Sequence, residues 1–190
     1  KEVRMKVLFV AMAIMTVCGC ERKPTIVGLF GEKIGEKILP SRCERCFLDN
    51  ATSAYLKAPK MCFPIKETND VEVTYSVVTN AEGLAEGLCF DTSVECGSIP
   101  AWREKVERIR MEVRKKYGEP DVVDSHDEGG IYEMEEESWY IMGRIVHMAL
   151  LKMDCGSLAF KVRVMTYELA ARLDAKSYNE SKNRENCRKK

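Results

Sequence analysis

The chain has 190 residues, 45% of them hydrophobic and 32% charged, enough for one domain with a genuine core and too apolar for general disorder. Thirty Lys and Arg balance thirty Asp and Glu, so the formal charge is zero. That balance excludes the basic character expected of a nucleic-acid-binding protein.

The first twenty residues differ from the rest. Lys1, Arg4 and Lys6 precede an apolar run from Val7 to Val17, broken only by Thr16. Eleven residues are too few to cross a bilayer of roughly 30 Å as a helix. A basic start with a short apolar run is the pattern of a secretory signal. The run ends in Val17-Cys18-Gly19-Cys20, which resembles the lipobox of bacterial lipoproteins, with Cys18 where Ala or Ser is commoner. The resemblance implies cleavage before Cys20, lipidation of Cys20 and a partner in the membrane, with Met5 a candidate start. Without residues 1–20 the chain carries 27 Lys and Arg against 29 Asp and Glu, a net charge of −2. No polybasic patch remains, so acyl chains would do the anchoring. The expected organisation is a signal (1–20), a polar tether (21–25), one domain (26–182) and a basic tail (183–190).

Gly28, Gly31 and Gly35 imply tight turns, and their spacing is neither G-x-G-x-x-G nor a P-loop. Phe30-Gly31 with Gly35, together with Lys116-Tyr117-Gly118, is loosely similar to small exported bacterial proteins. That resemblance implies no catalytic residue.

Cys43-Glu44-Arg45-Cys46 and Cys62 follow. The pair sits in an expected loop and opens no helix, so a helix N-terminus does not stabilise a thiolate there. Zinc needs four ligands and finds no second C-x-x-C or paired His. Structural disulfide, zinc site and redox pair all remain open, and an oxidising compartment favours the first. Seven cysteines follow Cys20, at 43, 46, 62, 89, 96, 155 and 187, an odd number.

A short strand is expected at 52–58. Val71, Val73, Tyr75 and Val77 alternate with polar residues, Thr79 to Gly83 reads as a turn, and Leu84 to Asp91 returns, which predicts a hairpin over 71–91. Glu86 reads as an exposed acid. A Cys89–Cys96 bond would staple the strand to the next helix, contributing about 2–3 kcal/mol in the chain-entropy picture. Pro100 opens that helix and Gly118 with Pro120 ends it. Trp102, Val106, Ile109, Val113 and Tyr117 form one apolar stripe along it.

Charge then changes sign. Residues 103–116 hold seven basic and three acidic side chains, whereas residues 119–137 hold nine acidic and no basic ones. The plain reading is a solvated loop, 123–130, leading into an acidic hairpin edge. The sharper one folds the acidic segment over the basic face of the helix. Calcium finds no EF-hand spacing there. Trp139 to Met153 reads as one central strand, followed by a turn at 154–157 and a strand from Leu158, a second hairpin over 139–167. His147 within it reads as a satisfied structural histidine. A C-terminal helix is expected over 168–182.

These elements predict an α+β domain: two antiparallel hairpins in one sheet, the 100–117 helix packed across them, and a C-terminal helix. No nucleophile elbow, zinc-helix motif or nucleotide loop is present, and no cofactor is implied. The leading expectation is a lipid-anchored exported protein that binds or scaffolds a protein partner without catalysis. Thiol-disulfide or metal handling through Cys43, Cys46 and Cys62 is the alternative, and an enzyme with an unrecognised site the third.

Overall fold

The computed structural model describes residues 27–45, 52–57, 59–95, 99–127, 132–153 and 156–174. The signal segment, the tether, Cys20, Cys46, Cys96 and the basic tail lie outside the described residues.

The strands are β1 (Gly28–Leu29), β2 (Glu32–Lys33), β3 (Cys43–Arg45), β4 (Thr52–Leu56), β5 (Val71–Thr79), β6 (Ala85–Val94), β7 (Val122–Asp127), β8 (Tyr132–Ile141), β9 (Arg144–Met153) and β10 (Leu158–Thr166). Helix α1 (Ile99–Tyr117) stands between β6 and β7. β1 and β2 form a two-stranded ribbon, and the other strands form one eight-stranded sheet in the order β3-β4-β5-β6-β10-β9-β8-β7. Every pairing is antiparallel.

The α+β expectation of two hairpins crossed by a helix is therefore overturned. The two hairpins are parts of a single eight-stranded sheet, and the described fold is mainly β. The largest error is the strand expected over Trp139–Met153. Its apolar run contains a two-residue turn: Ile141 pairs with Arg144, and Met142 and Gly143 take φ of 47° and 77°. Two successive positive φ values make the turn that matches the twist of a tight hairpin. The run is thus the end of β8 and all of β9. The expected 123–130 loop is largely β7, a strand paired with β8 and exposed at every residue.

Register places alternate residues on opposite faces. One face carries the rows Val77–Leu88–Val164–Val146–Trp139 and Tyr75–Phe90–Val162–Met148–Glu137. The five stripe residues of α1 are all buried and join these side chains in one core. A narrow stripe suffices because its hydroxyl and indole also find partners. Trp102 Nε1 donates to Thr92 Oγ1 at 3.1 Å, and Tyr117 Oη donates to the Gly28 carbonyl at 2.5 Å. The latter bond ties the helix to the ribbon, whose Val27, Leu29 and Phe30 complete the same core. The centre of this face is covered, and a groove of about 720 Å³ remains between α1 and the β7–β8–β9 edge.

Burying it encloses two carboxylates. Glu137 accepts from Arg110 Nη2 at 2.7 Å and from Arg114 Nε at 2.8 Å, so the acidic segment does fold over the basic helix. Glu32, on β2, is paired with Arg42 and, at 3.3 Å, with Lys60. For each acid, burial pushes the pKa up, but the paired cations outweigh it and hold the carboxyl below its ordinary value.

Candidate functional site

The opposite face is the candidate site. Its rows are Tyr55–Ser76–Cys89–Arg163–His147–Ser138 and Thr74–Asp91–Lys161–Ala149–Glu136–Asp124. These residues are chiefly polar and half-buried or exposed, the reverse of the helix-covered face. An antiparallel sheet tolerates such a wet face because every strand buries only alternate side chains.

The helical segment 167–174 leans on this face, where Leu169 and Leu173 face strands β5, β6 and β10. Thr166 Oγ1 accepts from the Leu169 amide at 3.2 Å, starting the helical turn in the manner of an N-cap. Leu169 then seats over Gly87, where an added Cβ would lie 2.6 Å from Leu169 Cδ2. Arg172 is ion-paired with Glu86, so the acid expected to be exposed is partly covered. Between this segment and the strands lies a groove of about 450 Å³. Its polar side carries Cys89, Asp91, Lys161 and Arg163, and its apolar side Val78, Met165, Leu169 and Leu173.

Within the groove Lys161 pairs with Asp91 at 2.6 Å. Burial pushes the Cys89 thiol above its ordinary value, and neighbouring Arg163 and Lys161 only partly offset that. Such a thiol is a poor nucleophile. Further along the face, Glu136 stands between the chain's two histidines. His147 Nε2 lies 3.1 Å from Glu136 Oε1 and His126 Nε2 3.7 Å from Glu136 Oε2, while His126 also lies 3.2 Å from Asp124. Burial lowers the His147 pKa despite Glu136 beside it. His147 is thus a half-buried residue hydrogen-bonded to Glu136.

The expected thiol site is not assembled among the described residues. Cys43 opens β3 and Cys62 is exposed; both are free thiols, as is Cys89. Burial raises the Cys43 pKa, opposite to what a redox cysteine needs. Cys46 and Cys96, the expected partners of Cys43 and Cys89, lie outside the described residues.

Among the described residues no group of three or more His, Cys, Asp or Glu side chains is placed to hold a metal ion. No described helix is long and apolar enough to cross a membrane. Sequence reasoning missed Arg163, Lys161 and Asp91 as site residues. Their only signal was a polar alternation in strands already assigned, and the cross-strand rows that unite them depend on register. The chain matches no known protein family, no curated protein and no solved structure.

Proposed function

We propose that this is an exported protein, held to a membrane by acyl groups on Cys20, whose domain binds a ligand on the open face of its sheet and performs no catalysis. The observation that carries the binding role is the asymmetry of the sheet. The centre of one face is covered by α1 and the β1–β2 ribbon, and the groove left at its β7–β8–β9 edge is lined mainly by charged and polar side chains, while the other face presents a groove with a charged side and an apolar side. Pockets of that mixed character and of ~300–1,000 Å³ are the usual seats of small ligands. The reading without catalysis draws on the chemistry in the groove: a thiol with a raised pKa and a lysine held in an ion pair with Asp91. Export and anchoring are supported by the basic start, the apolar run and the lipobox-like Val17-Cys18-Gly19-Cys20.

The test is fractionation of cells expressing the full chain from Met5 and its Cys20→Ala variant. The wild type is expected with the membranes, resistant to high salt and released by detergent. The variant is expected to leave that fraction. Equal, salt-sensitive partition of both proteins contradicts the proposal.

A further inference from the structure

Several half-buried cations are paired with carboxylates: Arg110 with Glu137, Arg42 with Glu32 and Lys161 with Asp91. Arg163, like Arg144 at the β8–β9 turn, has no such pair among the described residues. It lies half-buried in the groove wall, flanked across the strands by Cys89 and His147. Neither neighbour supplies a negative charge, since burial favours the neutral form of both. Because Lys161 and Asp91 cancel, the groove retains one uncompensated positive charge, beside an apolar wall of Val78, Met165, Leu169 and Leu173.

Resting on the proposal that the open face is the ligand surface, we infer that the groove takes a monocarboxylate with a short aliphatic chain. The carboxylate pairs with the Arg163 guanidinium and the chain lies along Met165 and Leu169. The planar guanidinium offers two parallel N–H donors that match a carboxylate. A dianion such as a phosphate monoester would leave one charge uncompensated in a half-buried setting, which is costly. The segment after the groove helix, residues 175–190, carries six basic and two acidic side chains, so its charge disfavours it as the occupant.

The experiment is isothermal titration calorimetry of the full chain at neutral pH with octanoate, 1-octanol and octylamine. Octanoate is expected to bind, 1-octanol about tenfold or more weakly, and octylamine not at all. Arg163→Met is expected to reduce octanoate binding to the level of 1-octanol, and Arg163→Lys to recover part of it, with thermal unfolding confirming that both variants fold. Equal affinity for octanoate and 1-octanol overturns carboxylate recognition and leaves the open face as a binding surface. Binding of octanoate unchanged in folded Arg163→Met overturns it as well. So does failure of all three probes to bind, and the anchor at Cys20, judged by fractionation, is untouched by that result.

Discussion

Arg110 of α1 and Glu137 of β8 meet at 2.7 Å, joining two blocks of opposite charge that lie next to each other in the chain. Glu137 is only 3% exposed, so its charge is desolvated and depends on the two guanidiniums that hold it. Removing one partner of a buried pair leaves the other uncompensated, which costs more than the pair contributes. Glu137→Gln is therefore expected to destabilise the fold by about 2–4 kcal/mol, measured by urea unfolding. Glu135→Gln, at an exposed position 3.5 Å from Arg110, is expected to cost less than about 1 kcal/mol.

Acid acts on the same pair. Glu137 and Glu32 both titrate below their ordinary 4.5 in the fold, although burial alone would raise them. A depressed carboxyl binds fewer protons in the native than in the unfolded state, so its contribution is complete above 4.5 and is lost as pH falls through the folded value. His147, whose pKa burial lowers from 6.5, works in the same direction at a higher pH, because the unfolded chain takes its proton first. Stability measured by denaturant is thus expected to decline below about pH 6.5 and to fall faster below about 4.5. In Glu137→Gln the lower, steeper part is expected to flatten.

Tyr117 locks the helix to the ribbon through Gly28. Its hydroxyl donates to the Gly28 carbonyl and accepts from the Gly28 amide at 3.2 Å. Lys116 Nζ also donates to that carbonyl, at 2.8 Å, so Tyr117→Phe strands chiefly the amide. A loss of about 1–3 kcal/mol is expected in urea unfolding. Gly28→Ala is expected to be worse, since the new Cβ would lie 2.0 Å from the Glu32 carbonyl oxygen and force the ribbon apart.

How far the fold was legible follows from these particulars. The α1 stripe was legible because five apolar residues stood against a charged background. The β5–β6 hairpin was legible because alternation flanked a turn in which Asn80 Oδ1 caps the amides of Glu82 and Leu84. The β8–β9 turn was hidden because Met142, a residue with no turn preference, holds a positive φ inside an apolar run. β7 was hidden because none of its residues is buried. The charge blocks pointed to the Arg110–Glu137 contact but not to which acids make it. Period-two alternation settles that: Glu135 and Glu137 share the helix face, while Glu136 points the other way and meets His147. The groove was not legible, since Cys89, Arg163 and His147 become neighbours only through the register of three strands.

Thiol labelling offers a separate check on the two faces. Cys62 is exposed, whereas Cys89 is half-buried in the groove with a raised pKa. Peptide mass spectrometry of the full chain treated with iodoacetamide is expected to find Cys62 modified about tenfold or more faster than Cys89. Comparable rates would mean that the groove wall is far more open than described.

The proposed localisation depends on cleavage before Cys20 with acylation of its side chain and amine. Intact mass spectrometry of the protein extracted from native membranes reads it directly. A mature chain beginning at Cys20 and heavier than its sequence by acyl groups is the expected result, and a soluble chain with an unprocessed N-terminus would contradict it.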